Sequence, residues 1–179
     1  MMSKSGILVI SSSLNPRSRS RILARAAYDV LCKKGDADWL DLQDFSLPLC
    51  DGGSCYGHAD VVEVGNRIKA ANCILAATPV YNFDVNAAMK NLIELTGDGW
   101  AEKSVGFICA AGGKSSYMSV MSLANSLMLD FRSVIIPRFV YADGGAFDGD
   151  AIKPEVMLRI EELCQQAIRF SSLLSPAVK

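Results

Sequence analysis

Hydroxyl and guanidinium groups are concentrated between positions 11 and 20. This stretch reads Ser-Ser-Ser-Leu-Asn-Pro-Arg-Ser-Arg-Ser and follows a short apolar run, Gly6–Ile10. Ser18 or Ser20 could cap a following helix, whose first backbone N–H groups would then point into this loop. Such N–H groups, the helix dipole and nearby arginines together bind phosphate. The candidate phosphate ligands are Ser11, Ser13, Asn15, Arg17, Ser18, Arg19 and Ser20.

The charge distribution supports an anionic ligand at this loop. No Asp or Glu occurs from Met1 to Tyr28, whereas five basic residues do: Lys4, Arg17, Arg19, Arg21 and Arg25. The whole chain has a net charge of −1, so we expect neither nucleic acid nor an anionic membrane as a partner. A solvated basic helix face would give the same local bias, and charge alone leaves both interpretations open.

The motifs that the sequence lacks limit which kinds of phosphate-containing ligand it could bind. There is no GxGxxG and no GxxxxGK[ST] motif, so a Rossmann dinucleotide site and nucleoside triphosphate hydrolysis are disfavoured. A phosphatase on a similar sheet would need a cysteine followed six residues later by arginine in the first loop, and none is present. A terminal phosphomonoester fits better, and a polar capping loop with incidental arginines is the alternative.

Two further loops follow apolar runs. Pro79, Val80, Tyr81 and Asn82 come after Cys73–Ala77, where a rigid turn and a tyrosine could flank a planar heterocycle. Gly112 and Gly113 come after Val105–Cys109 and permit the close approach of backbone to a ring.

These loops require elements that bring them together. Five runs predict strands: Gly6–Ile10, Asp38–Leu42, Cys73–Ala77, Val105–Cys109 and Arg132–Tyr141, the last interrupted by Pro137. Five stretches predict helices: Arg19–Lys33, Ala59–Ala70, Val85–Leu95, Ser116–Leu129 and Pro154–Leu174. Alternating strands and helices predict an α/β fold, a parallel sheet covered by helices on both faces. Ligands bind such sheets beyond the carboxyl ends of the strands. We expect one domain spanning 1–179.

The six cysteines include no CxxC pair. Cys50 and Cys55 bracket a Gly-rich loop and could bind a metal or form a bridge. A structural zinc site is disfavoured because His58 is the chain's one histidine and no second cysteine pair exists. We expect no metal, no signal peptide and no transmembrane segment, and therefore a cytoplasmic protein.

The combined pattern resembles the NAD(P)H-dependent FMN reductase family of flavodoxin-like proteins. The motifs that carry the resemblance are the Ser-rich first loop, Thr78–Asn82 followed by Met89–Leu92, and Ala111–Gly113. It implies a three-layer fold with a five-stranded parallel sheet in the order 2-1-3-4-5. By similarity, Ser13, Ser18, Arg19 and Ser20 bind the FMN phosphate, Pro79–Asn82 flank the isoalloxazine, and Gly112–Gly113 close over its other edge. Asn15 stands where many members have arginine, and many members have a glycine near Ala87, just before the Met89–Leu92 segment.

The resemblance also implies an activity. Hydride passes from NADPH or NADH to FMN and on to a small acceptor such as free flavin or a quinone, and no side-chain acid, base or nucleophile is needed. It further implies a homodimer or homotetramer, with the loop Phe45–Tyr56 and the helix from Ser116 as contacts. An electron-transfer flavodoxin without nicotinamide turnover is the alternative function, and a regulatory binding domain is a third.

Overall fold

A twisted β-sheet forms the centre of the computed structural model, which describes residues 6–35 and 37–173. Within these two ranges the sheet contains seven strands. They are β1 (Ile7–Ser11), β2 (Asp38–Asp41), β3 (Cys73–Tyr81), β4 (Asp84–Val85), β5 (Ser104–Ala110), β6 (Val134–Ile135) and β7 (Val140–Ala142). A separate hairpin consists of β8 (Phe147–Asp148) and β9 (Ala151–Ile152).

The strand order is β2-β1-β3-β5-β6, and all of these neighbours pair in parallel. β7 also pairs in parallel with β5, beyond the part of β5 that β6 covers. Ser11 lies opposite Ala77, and Ala77 lies opposite Ile108. The carboxyl ends of β1, β3 and β5 therefore meet at one edge, as predicted.

Five α-helices cover the sheet in the described part of the chain. They are α1 (Arg19–Cys32), α2 (Ala59–Ala70), α3 (Ala87–Thr96), α4 (Met121–Phe131) and α5 (Pro154–Leu173). None of the helices in the described ranges is long and apolar enough to cross a membrane.

Alternate residues of the buried strands serve two separate cores. Ile7 and Val9 of β1 pack with α1 and α5 on one face of the sheet. Leu8 and Ile10 pack with α2, α3 and α4 on the other face. Side chains on both sides are buried, which explains why the strands read as continuous apolar runs instead of alternating ones.

The fold prediction is confirmed, with corrections to its details. The sheet has seven strands rather than five, because the last predicted strand divides around Pro137 into β6 and β7, and because β4 adds an antiparallel partner to β3. Proline cannot donate a ladder hydrogen bond, so pairing stops there. The predicted 2-1-3-4-5 order holds for the parallel strands.

Two helices begin later than predicted. Val85 belongs to β4, and α3 starts at Ala87 after its cap, Asn86. The stretch 116–120 forms turns instead of the first part of α4, and the Ser116 hydroxyl pairs with that of Tyr141 at 2.8 Å. The predicted end of the last helix, Leu174, lies outside the described residues.

Candidate functional site

The first turn of α1 forms the base of the candidate site. Ser18 is the N-cap, and its Oγ accepts a hydrogen bond from the backbone N–H of Arg21 at 3.3 Å. The Ser18 and Ser20 hydroxyls lie 2.9 Å apart, and both residues are buried. The first turn of α1 contains no acidic residue, so its positive dipole end is uncompensated by a carboxylate. This arrangement fits an anion.

Further predicted ligands surround this turn. Arg17, Arg19 and Asn15 are exposed, while Ser11 and Ser13 are buried. Within the described ranges neither guanidinium forms an ion pair; that of Arg19 lies 5.1 Å from the centre of the Phe147 ring. The buried Ser11 Oγ has no hydrogen-bond partner among the described residues. A buried hydroxyl without a partner at the end of β1 is a polar group that a ligand could satisfy.

Arg21 holds the loop in place, a role that sequence reasoning missed. Its Nη1 donates to the Asn15 carbonyl at 2.8 Å, and its Nη2 donates to the Ser13 carbonyl at 2.7 Å. Its Nε also donates to Asp41 Oδ2 at 2.5 Å. The loop is thereby tied to β2. The acid-free segment had shown a cluster of arginines, but it could not show that this one turns back onto the loop.

Asn86 joins the first loop to the second and was also missed. Its Oδ1 accepts from the hydroxyls of Ser12 at 2.9 Å and Thr78 at 3.1 Å. Its Nδ2 donates to the Ser12 carbonyl at 2.9 Å, and its Oδ1 also caps α3 by accepting from Met89 N at 3.3 Å. An asparagine three residues before Met89 was the available signal, because Asn is a preferred N-cap.

The predicted ring-flanking residues lie at the end of β3. Pro79 and Val80 are buried, whereas 54% of Tyr81 is exposed. Asn82 and Phe83 both have left-handed backbone conformations, with φ of 51° and 64°. They form the tight turn of the β3–β4 hairpin, which presents the side chains of Tyr81 and Phe83 to the outside.

Gly112 and Gly113 lie in the exposed loop after β5. The Tyr141 hydroxyl donates to the Gly113 carbonyl and also pairs with the Ser116 hydroxyl. On the opposite side, the Ser122 hydroxyl donates to Asp84 Oδ1 at 2.8 Å. The loop after β5 is thus attached to β7, and the first turn of α4, which follows this loop, is attached to the β3–β4 hairpin. The structure brings all three predicted loops to one edge of the sheet.

Two titratable side chains of the described residues, those of Cys109 and His58, have structural surroundings. Burial raises the pKa of the Cys109 thiol to about 12, so it stays protonated. His58 caps α2 through its Nδ1, which accepts from the Asp60 N–H at 3.3 Å. In the described part of the chain, no group of three or more His, Cys, Asp or Glu side chains could hold a metal ion.

Comparison with known proteins identifies the family. The family model described as "NADPH-dependent FMN reductase" matches residues 6–148. The chain belongs to this family. Membership confirms the resemblance drawn from the sequence, and with it the prediction of an oxidoreductase that uses FMN and a nicotinamide reductant.

Individual known reductases are similar to this chain over most of their length. An NAD(P)H-dependent FAD/FMN reductase of Geobacillus thermodenitrificans is 27% identical over 143 residues, covering 77% of each chain. An NADPH:quinone oxidoreductase of Arabidopsis thaliana is 30% identical over 142 residues, covering 74% of this chain and 72% of its own. The crystal structure of an NADH:FMN oxidoreductase in its apo form has a TM-score of 0.78 at 17% identity, covering 96% of this chain and 91% of the other. This structural likeness confirms the flavodoxin-like fold.

Proposed function

We propose that this protein is an NAD(P)H-dependent FMN reductase that binds the FMN phosphate at the first turn of α1. The observation that carries the proposal is the uncompensated N-terminus of α1, capped by Ser18 and flanked by Arg17 and Arg19. In the proposed site, Ser13, Ser18, Ser20 and Asn15 supply neutral hydrogen bonds, and the two arginines supply charge-assisted ones.

The donor set fits a phosphomonoester. A dianionic phosphate offers only acceptors, and this turn presents hydroxyls, backbone N–H groups and guanidinium groups. The buried Ser11 hydroxyl, which has no hydrogen-bond partner in the described part of the chain, adds another donor at the end of β1. The match between these donors and a phosphate therefore supports the proposal independently of family membership.

The surrounding surface fits the ring system of the same cofactor. Exposed apolar side chains stand on each of the three loops, namely Leu14 after β1, Tyr81 and Phe83 after β3, and Tyr117 and Met118 after β5. Exposed aromatic groups of this kind cover the faces of a planar heterocycle. In the proposed site Pro79, Val80, Tyr81 and Asn82 flank the isoalloxazine, and Gly112 and Gly113 approach it with their backbone.

FMN, when bound, supplies a redox centre that takes hydride from NADPH or NADH and passes it to an acceptor such as free flavin or a quinone. The chain itself binds the cofactor, orients it and shields its ring from water. Arg21 holds the first loop against β2, Asn86 fixes that loop relative to the second, and the aromatic side chains exclude water from the ring. Orientation of this kind is the protein's main contribution to hydride transfer.

We also propose that the protein is a single domain over 1–179, acts in the cytoplasm on a small-molecule acceptor and self-associates. All six cysteines are free, which fits a reducing compartment. Self-association is supported by an exposed apolar surface on α4 and the preceding turn, formed by Tyr117, Met118, Met121, Met128 and Leu129. Met121→Glu should lower the mass measured by sedimentation equilibrium to that of the monomer. Leu158→Glu on α5, where the wild-type leucine is likewise exposed (57%, against 38% for Met121), should leave the mass unchanged.

Cofactor binding tests the central claim. FMN titrated into the apoprotein should show saturable quenching of flavin fluorescence. Arg19→Ala should raise Kd about tenfold to a hundredfold, as expected for the loss of a hydrogen bond to a charged group. Arg25→Ala, an exposed arginine farther along α1, is the matched control. Equal effects of the two substitutions would reject the phosphate site.

Turnover distinguishes a reductase from an electron-transfer flavodoxin. Anaerobic addition of NADPH, and separately NADH, to the FMN complex should bleach the flavin absorbance, and a quinone should then be reduced in steady state. An FMN complex that neither nicotinamide bleaches would support the flavodoxin alternative.

A further inference from the structure

Cys50 and Cys55 lie close together in the loop between β2 and α2. Their Sγ atoms are 3.9 Å apart, and the Cys55 thiol donates its proton toward the Cys50 sulfur. Cys50 is partly exposed, whereas Cys55 is buried in a short turn, Ser54–Gly57. The pair is not used by the reductase mechanism proposed above.

The loop holds the two thiols as neighbours. The backbone N–H of Cys50 donates to Asn91 Oδ1 at 2.9 Å, and Asn91 Nδ2 donates to the Pro48 carbonyl at 2.9 Å. Cys55 packs in a small apolar cluster with Val61 and Leu95. Cys50 is thus fixed to α3 through Asn91, and Cys55 packs against both α2 and α3. The intervening sequence contains Gly52 and Gly53, so the backbone has the freedom to close the remaining gap.

The two sulfurs differ in reactivity. A hydrogen bond from the Gly52 backbone, followed by one from the Tyr56 hydroxyl, lowers the pKa of the Cys50 thiol. Burial, followed by a hydrogen bond with Asp51, raises the pKa of the Cys55 thiol. The accessible sulfur is therefore the better thiolate, and its neighbour remains a thiol. A reactive cysteine beside a second, resolving cysteine is the usual arrangement for reversible oxidation.

We propose that Cys50 and Cys55 are a modification site, a dithiol that a hydroperoxide converts reversibly to an intramolecular disulfide. The Cys50 thiolate attacks one peroxide oxygen, the O–O bond breaks, and hydroxide leaves (alkoxide in the case of an alkyl peroxide), so that Cys50 becomes a sulfenic acid. The Cys55 sulfur then attacks the Cys50 sulfur, and the S–S bond forms as the S–O bond breaks. The departing hydroxide takes the Cys55 proton and leaves as water.

The electron balance requires one peroxide for each disulfide. The two sulfurs together lose two electrons, and the peroxide oxygens gain them. Reduction by an external dithiol reverses the change by thiol–disulfide exchange. FMN binding is not required, so failure of the reductase proposal would leave this proposal standing.

The other cysteines provide internal controls. Cys32 is exposed but has no cysteine partner among the described contacts. Cys73, Cys109 and Cys164 are buried, and burial raises the pKa of each, to about 11, 12 and 12 respectively. We therefore expect all three to remain reduced when Cys50 and Cys55 are oxidised.

The test is thiol counting and peptide mapping of the full chain. The prereduced protein is treated with one equivalent of hydrogen peroxide, alkylated and digested. We expect two of the six thiols to be lost, with Cys50 and Cys55 in one crosslinked peptide two hydrogen atoms lighter than its reduced form. Dithiothreitol should restore both thiols. Cys32→Ser should give the same crosslink.

Two variants separate the roles of the pair. Cys55→Ser should accumulate a Cys50 sulfenic acid that dimedone traps, and Cys50→Ser should lose the rapid reaction with peroxide. The proposal is overturned if wild-type Cys50 and Cys55 both remain alkylatable after the peroxide is consumed. It is equally overturned if the crosslink joins two chains or if Cys32 reacts first. Mapping of the wild-type chain decides the question even if a variant does not fold.

Discussion

Asn86→Ala should be among the most destabilising substitutions at the candidate site. The change removes the N-cap of α3, which costs about 1 kcal/mol. It also leaves the buried carbonyl of Ser12 without its donor and the Ser12 hydroxyl without its acceptor, which adds about 2 kcal/mol. We therefore expect the free energy of unfolding to fall by about 3 kcal/mol, and Tm by roughly 6 to 12 °C for a chain of this size.

Urea denaturation of the apoprotein, followed by circular dichroism, measures this loss. Asn86→Ser keeps an oxygen that can cap α3 but is too short to span to Ser12, so it should recover about 1 kcal/mol. Asn66→Ala, on the exposed face of α2, should change stability by less than about 0.5 kcal/mol. A loss below about 1 kcal/mol for Asn86→Ala would refute the reasoning. Full recovery with Asn86→Ser would also do so, because the cap alone would then explain the effect.

Three further results are expected. Arg21→Ala should lower the free energy of unfolding by about 3 kcal/mol, because it leaves the carboxylate of Asp41 buried and unpaired. In urea denaturation, the double variant that also carries Asp41→Asn should recover part of this loss. Strictly additive losses of the two substitutions would contradict the pairing. Gly106→Ala should lower the free energy of unfolding by about 1 to 3 kcal/mol, since its added Cβ would lie 2.8 Å from the Cδ2 atom of a core leucine. Gly112→Ala, whose Cβ would lie in open space, should leave the urea midpoint unchanged. Stability should also fall as pH rises from about 9, the ordinary thiol pKa, toward about 12, the pKa of folded Cys109, because only the unfolded chain releases the proton in this range. Cys109→Ala should make the fall of the free energy of unfolding with pH, measured by urea denaturation, shallower by about 1.4 kcal/mol per pH unit, and an unchanged slope would be the contrary result.

The sequence predicted the elements of the fold because their signals are local. Apolar runs such as Gly6–Ile10 are too short for helices, and their lack of alternation indicates burial on both faces. The alternation with amphipathic stretches then leaves few topologies. Boundaries were predicted less well where a tertiary contact decides them. The start of α4 is delayed because Tyr141, distant in sequence, ties down the loop before it.

The candidate site was predicted as a set of loops but not as a network. Residue type and position pointed to Ser18 and Arg19, whose chemistry is evident without a partner. Arg21 and Asn86 were missed because their roles lie in long-range hydrogen bonds, to Asp41 and to Ser12. No local sequence pattern distinguishes an arginine that is available to bind an anion from one that donates hydrogen bonds to backbone carbonyls.

The outermost strand, β2, carries an aspartate at each end, and each is held by an arginine from a different helix: Asp38 by Arg67 and Asp41 by Arg21. A free strand edge invites the addition of another chain, and flanking charge is one of the ways in which natural sheets resist it. Neutralising both aspartates should therefore favour fibrillar aggregation through the outer edge of β2. The pair formed by Arg21 and Asp41, which holds the first loop in place, would thus also protect the protein against misassembly.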